Sequence, residues 1–154
     1  MKEIKEAIEK DKELQKAISF ARTLDIGKIK SFFPLPKSWE SKKVNSFQQY
    51  LQSVSNEHFD VLFCRSTYTD EILIRSKKYP NDVFYTMLSY SKTEKTFVHF
   101  TRFKHCDEDK ISYCEKTIEQ IFTELENLKQ LINKLPYFTK QAVIKEIVYQ
   151  LKVS

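Results

Sequence analysis

The residues best able to do chemistry lie close together in the stretch FVHFTRFKHC, residues 97–106. His99, Arg102, Lys104 and His105 could supply a general base, a general acid and two cations for a phosphate group. Alternation along a β-strand would place His99 and His105 on one face and Arg102 and Lys104 on the other. The pattern therefore identifies no catalytic residue, and these four are the candidates if the chain is an enzyme.

Glycine content excludes several kinds of active site. Gly27 is the only glycine in the sequence. Loops that cradle phosphates need several glycines, because the backbone must approach the ligand closely. The sequence therefore excludes a P-loop, a dinucleotide-binding fingerprint, a kinase-type loop and a G-x-S-x-G nucleophile elbow. We expect no cofactor.

The cysteines do not form a metal-binding motif. Cys64, Cys106 and Cys114 lack the C-x-x-C spacing that is typical of structural zinc sites, and the sequence contains no H-x-x-x-H pair. No metal site is therefore expected. An odd number of cysteines does not suit a secreted disulfide framework, so we predict reduced thiols and a cytoplasmic protein.

Length and charge limit the classes of partner. The chain has 154 residues, 41% of them hydrophobic, and a formal net charge of +5. These values predict one domain over residues 1–154. No run of Lys or Arg is longer than two, so a polybasic membrane patch is not predicted, whereas nucleic acid stays open as a partner. No apolar stretch reaches the roughly 18 residues of a membrane span.

Hydrophobic periodicity predicts the order of the elements. Apolar residues every three or four positions indicate helices over 2–25 and 39–55, and then the period changes to two. Four strands with short polar turns are expected at 59–66, 71–77, 83–90 and 96–104. Helices over about 107–134 and from Thr139 follow. The predicted fold class is α+β: two N-terminal helices, a four-stranded antiparallel meander and two C-terminal helices packed on the sheet.

The first connection contains unusual residues for a linker. Gly27 lies just past the first helix, where a left-handed C-terminal cap is expected. We predict that residues 1–27 form an N-terminal helix that either protrudes from the domain or mediates oligomerisation. Pro34 and Pro36 then indicate an extended connector. Its apolar side chains are expected to pack on the core or on a partner: Phe32, Phe33 and Leu35.

Both faces of the predicted sheet are apolar. In the third strand, alternation places Tyr85 and Met87 opposite Phe84, Leu88 and Tyr90. A sheet with one solvated face would alternate cleanly between apolar and polar residues. Either helices cover both faces, or one face is a binding or dimer surface. The heptad spacing from residue 111 to residue 135 leaves the same choice between a coiled coil and a helix packed on the sheet.

Three resemblances suggest functions. Residues 83–121 resemble the strand–strand–helix end of RelE-like ribonuclease toxins, which implies metal-independent RNA cleavage through Arg, Lys and His on the sheet. The motifs HFTR and HFDV resemble those of two-histidine phosphoesterases, which implies His99 and His58 as acid and base. The order helix, meander, helix, helix resembles the RWD domain, which implies a docking module.

We predict a non-enzymatic intracellular protein–protein interaction or adaptor module, because no catalytic constellation is visible. A homodimer is one form that such a module would take. The partner is expected to be a protein or a second copy of the chain. The alternative is a small basic RNA-binding protein or a RelE-like ribonuclease. The predicted binding residues are Phe32, Phe33, Leu35, Arg65, Arg75, Arg102 and Lys104.

The ribonuclease alternative has a direct test. A RelE-like enzyme should cut RNA in the presence of a metal chelator, and Arg102→Ala should abolish the cutting because the phosphate would lose a cation. The measurement is gel analysis of a labelled RNA incubated with purified protein. Intact RNA with the unmodified protein would exclude this alternative.

Overall fold

The computed structural model describes residues 2–98, 103–104 and 126–153. The chain divides into two compact units, one formed by Met1–Glu13 with His105–Ser154 and the other by Leu14–Lys104. Helices precede an antiparallel sheet and further helices follow it. The predicted α+β class is therefore confirmed.

Three helices precede the sheet: α1 (Lys2–Ala21), α2 (Ile26–Ser31) and α3 (Lys42–Val54). The prediction of two was wrong, because the helix expected over 2–25 ends at Ala21 and a new one starts after Asp25. The Asp25 carboxylate accepts a hydrogen bond from the Lys28 N–H at 3.0 Å and so caps α2. Gly27 lies inside α2 with a negative φ, so the prediction of a left-handed cap there was also wrong.

The strands are β1 (Phe59–Arg65), β2 (Thr69–Ser76), β3 (Phe84–Ser91), β4 (Thr96–Val98) and β5 (Phe103–Lys104). The order β1-β2-β3-β4 is antiparallel throughout, which confirms the predicted meander. β5 also pairs with β3, through Lys104 opposite Phe84. One strand was expected over 96–104, and β4 and β5 are its described ends.

Aromatic side chains join the helices to one face of the sheet. Phe33 contacts the rings of Phe47, Tyr90 and Phe97 at centroid distances of 5.4, 5.2 and 5.2 Å. Each such pair adds about 0.5–1.5 kcal/mol beyond the burial of its area. The connector between α2 and α3 is therefore part of the core of this unit, and Phe32 and Leu35 pack against the same cluster.

A β-bulge explains why β3 looked apolar on both faces. The register between β2 and β3 shifts at Ile72/Leu73, so that Ile72 pairs with Leu88 but Ile74 pairs with Tyr85. The extra residue in β3 reverses the alternation. Tyr85 and Leu88, which strict alternation placed on opposite faces, both pack in the helix-covered core.

The second face of the sheet also contains buried side chains, but several of them are polar. Leu73 is 4% exposed and Thr86 is 1% exposed, and they are paired across β2 and β3. Beside them Ser89 and Glu71 are buried, with the Ser89 hydroxyl 3.4 Å from the Glu71 carboxylate. This face is therefore less apolar than the sequence indicated.

The other unit contains α4 (Glu126–Asn133) and α5 (Tyr137–Val153). Ile132, Ile144 and Val148 form a small core between them. The first helix was expected over about 107–134 and the last from Thr139. Residues 105–125, and with them most of the predicted heptads, lie outside the described residues. Pro136 separates the two helices, as predicted.

A carboxylate from α1 caps α5. The Asp11 side chain accepts hydrogen bonds from the N–H groups of Phe138 at 2.9 Å and Thr139 at 2.8 Å, and from the Thr139 hydroxyl. Pro136, directly before the helix, has no side-chain oxygen for this purpose. Asp11 is only 7% exposed, so it satisfies buried donors that would otherwise lack a partner.

None of the helices in the described part of the chain is both long enough and apolar enough to cross a membrane.

We expect Asp11→Ala to lower the free energy of unfolding by about 2 kcal/mol, because it removes a charged acceptor from buried N–H donors. Urea denaturation followed by circular dichroism measures this change. Glu9→Ala is the matched control on the same helix. Within the described residues the Glu9 carboxylate is paired with exposed Lys12 at 3.3 Å, so its loss should cost less than about 0.5 kcal/mol. Equal losses in the two variants would contradict the capping role.

Candidate functional site

Arg65, a predicted binding residue, makes a set of internal contacts. Its guanidinium donates to the carbonyl oxygens of Pro36 at 2.6 Å and Lys37 at 2.9 Å, and to the Asp70 carboxylate at 3.1 Å. Lys92 reaches the same carboxylate at 3.2 Å. The side chains of Arg65 and Asp70 are 7% and 2% exposed, so they form a buried ion pair that ties the connector to the sheet.

Arg75, another predicted binding residue, is more accessible. Its guanidinium lies 2.9 Å from the Asp60 carboxylate, and Lys77 lies 3.6 Å from the other oxygen of that carboxylate. The side chains of Arg75 and Asp60 are 35% and 24% exposed. This group is a partly solvated cluster with one acid and two bases.

The remaining predicted residues are either packed on the core or lie largely outside the described residues. Phe32, Phe33 and Leu35 are half-buried and pack against the core. His99, Arg102 and His105 lie outside the described residues, and Lys104 is described only as part of β5. The proposed site role of these residues stays a prediction. His58 is exposed in the loop before β1, with Nε2 3.2 Å from the Glu57 carboxylate.

Metal binding was not expected from the sequence. Within residues 2–98, 103–104 and 126–153, no group of three His, Cys, Asp or Glu side chains is placed to hold a metal ion. Cys106 and Cys114 are not among those residues.

In the part of the chain that the structure describes, β1 is the outermost strand at one edge of the sheet, and side chains close the first half of that edge. The Ser55 hydroxyl accepts from the Val61 N–H at 2.9 Å. The Asn56 side chain accepts from the Phe59 N–H at 2.8 Å, and the Asn56 N–H donates to the Phe59 carbonyl at 3.0 Å. The two residues that follow α3 therefore take the place of a neighbouring strand.

The second half of the same edge is open. Successive backbone groups of an antiparallel strand point alternately to its two sides. Since the N–H groups of Phe59 and Val61 point outward, those of Phe63 and Arg65 do so too. In the described residues no strand pairs with this side of β1. The carbonyl of Val61 and the backbone groups of Phe63 and Arg65 therefore form an open edge.

A cleft of about 660 Å³ runs between α3 and β1. Val61, Leu62 and Phe63 line it on the strand side, and Gln48 and Gln52 line it on the helix side. The two glutamines lie one turn apart on the exposed face of α3. Amides both donate and accept hydrogen bonds, so both walls of the cleft offer donors and acceptors without a net charge.

Trp39 marks the other end of the open edge. Its indole ring is 48% exposed and lies 5.4 Å from the Phe63 ring. The Arg65 guanidinium stacks over the same two rings, at 5.4 Å from Trp39 and 5.2 Å from Phe63. The buried arginine holds the exposed tryptophan in place. Tryptophan is one of the residues that contribute most of the binding energy at protein interfaces.

No protein-family model, curated protein or solved structure matches this chain.

Sequence reasoning did not identify the cleft. The run NSFQQYLQS contains the two glutamines that line the helical wall of the cleft. The sequence also shows that the run contains no acidic residue. The open edge had no such signal, because the sequence does not show which strand is outermost or which half of it is closed. The helix predicted over 39–55 would have included Trp39, but α3 begins at Lys42.

We expect Arg65→Ala to lower the free energy of unfolding by about 3 kcal/mol, since it leaves Asp70 and two backbone carbonyls without their main donor. Arg75→Ala, a matched change at a partly solvated pair, should cost about 1 kcal/mol. Chemical denaturation of the two variants makes the comparison. A loss for Arg65→Ala no larger than that for Arg75→Ala would contradict the anchoring role.

Proposed function

We propose that this chain is a protein-interaction module that binds an extended segment of its partner along the open edge of β1. The observation that carries the proposal is the outward-facing backbone of Phe63 and Arg65 next to the cleft of about 660 Å³. A peptide in β conformation would add one strand to the sheet, with its backbone bonded to β1. Its side chains would alternate between the cleft and the opposite side.

The chemistry of both walls supports a peptide as the bound group. A strand edge presents N–H donors and carbonyl acceptors in alternation, and another polypeptide backbone satisfies both. A nucleic acid backbone offers mainly phosphate acceptors, and the 2′-hydroxyl donors of RNA do not repeat at the spacing of a strand edge. Gln48 and Gln52 on the opposite wall can bond to the outer side of the same peptide.

The way β1 is built also supports a docking role. Proteins protect exposed sheet edges with charges, bulges or covering segments, since an unpaired edge promotes aggregation. Here Ser55 and Asn56 close the edge beside Phe59 and Val61 and leave the part beside Phe63 open. An edge that is closed over half its length limits a partner to a short segment in one register.

A second copy of this chain, as in the predicted homodimer, is one protein that could offer such a segment. A cytoplasmic location would give the module access to intracellular partners. Both points stay predictions.

The test uses a random peptide library displayed on phage and selected against the purified protein. We expect selected peptides to be rich in β-branched and aromatic residues. On binding, the amide protons of Phe63 and Arg65 should become protected from solvent exchange, as measured by NMR. The amides of Leu62 and Cys64, which point toward β2, should be protected both with and without peptide.

Gln48→Arg with Gln52→Arg should weaken binding of the selected peptides by about tenfold or more, because two long side chains would occupy the cleft. Ser46→Arg with Gln49→Arg adds the same charge to exposed positions of α3 that do not line the cleft, and should not weaken binding. Fluorescence anisotropy with a labelled selected peptide gives the affinities. Equal affinities for the two double variants would refute the proposed site.

A further inference from the structure

The two ends of the outer edge of β1 differ in charge. At the end near the start of β1, the cleft is lined by two acidic residues, Glu57 and Asp60, and two basic residues, Arg75 and Lys77. The formal charges there sum to zero. The opposite end, at Trp39, is formed by residues 37–43 and the last part of β1. The net charge there is not balanced.

The Trp39 end has a surplus of cations. Its basic residues are Lys37, Lys42, Lys43, Arg65 and Lys92, and its acidic residues are Glu40 and Asp70. Five bases and two acids give a formal net charge of +3. Asp70 is shared between two of these bases, so one carboxylate cannot neutralise both.

Contacts on this surface hold the cationic end at the strand edge. The guanidinium of Arg65 bonds to the Lys37 carbonyl at 2.9 Å, and the Lys43 ammonium bonds to the Pro34 carbonyl at 2.9 Å. The segment that carries the lysines is therefore attached both to β1 and to α3. Lys37 and Lys42 are themselves exposed.

We propose that the segment bound on β1 is acidic, with Asp or Glu residues at the end that lies beside Trp39 and an apolar side chain against the indole. This inference rests on the proposed function and adds the chemistry of the partner. Carboxylates next to a +3 surface gain attraction at long range, which speeds association and selects among partners. In an antiparallel arrangement the acidic residues would stand at the N-terminal end of the bound segment, and in a parallel arrangement at its C-terminal end.

An acidic peptide fits better than the other anionic polymer that a basic surface attracts. Single-stranded nucleic acid would use the lysines and stack on Trp39, but its backbone has no N–H donors alternating with carbonyls to match the groups of Val61 and Phe63. A peptide with acidic residues satisfies the charge and the strand edge together. Competition between the peptides and oligouridylate separates these two occupants.

The test sorts the peptides selected from the phage library by charge. We expect enrichment of Asp and Glu at one end of the selected sequences, and loss of affinity as salt is raised. One outcome is that the selected peptides are neutral or basic and do not bind the double variant Gln48→Arg with Gln52→Arg. This outcome would overturn the inference about charge but leave the proposed function standing. Peptides whose binding is indifferent to that double variant would overturn the proposed function itself.

A charge-reversal variant gives an independent measurement. Lys37→Glu with Lys42→Glu should weaken the acidic peptides by about tenfold and favour peptides in which Lys replaces the acidic residues. Lys2→Glu with Lys5→Glu, which makes the same change in charge at exposed positions of α1, should have no effect. Unchanged preference in the first variant contradicts the inference. Displacement of the peptides by oligouridylate through Lys37 and Lys42 would also overturn it, in favour of nucleic acid.

Discussion

The insertion of the α2–α3 connector between α3 and the sheet is the constraint on which the larger unit depends. Phe33 reaches α3, β3 and β4 at once, through Phe47, Tyr90 and Phe97. The connector then passes over the end of β1, where Arg65 binds the carbonyls of Pro36 and Lys37. A segment with two prolines, which forms no regular element, thus has aromatic packing on one side and charge-assisted hydrogen bonds on the other.

This arrangement also explains why the edge of β1 is partly open. The connector and α3 lie over the helix-covered face, and the end of α3 turns down to β1 at Ser55 and Asn56. These two residues satisfy the first backbone groups of the strand, and the cleft lies between α3 and the later ones. The edge is therefore open only beyond the reach of these two residues. The aromatic and cationic groups at its far end come from the connector that the same contacts hold.

The sequence identified Arg65 as important, but its role in the fold differs from the predicted one. From the sequence it was a basic side chain on a sheet and a candidate to bind an anion. In the fold its guanidinium is buried against Asp70 and its donors are largely taken by internal acceptors. Its contribution to binding is indirect, since it positions the exposed ring of Trp39 and the chain that carries Lys37. The exposed groups at the far end of the edge, Trp39, Lys37 and Lys42, were not among the predicted binding residues.

What the sequence determined by itself was local: the helical and strand periods, the polar turns and therefore the antiparallel meander, because these depend on neighbours a few residues apart. The extra helix after Asp25 and the bulge in β3 were missed, since a single capping contact and a long-range register shift produce them. Only the tertiary structure decided that β1 is outermost, that Ser55 and Asn56 close half of it, and that Trp39 and the lysines meet the other half. The bonds from Ser55 and Asn56 span only three to six residues. Whether they close an outer edge depends, like the other two facts, on contacts between residues far apart in the chain, which no short pattern records.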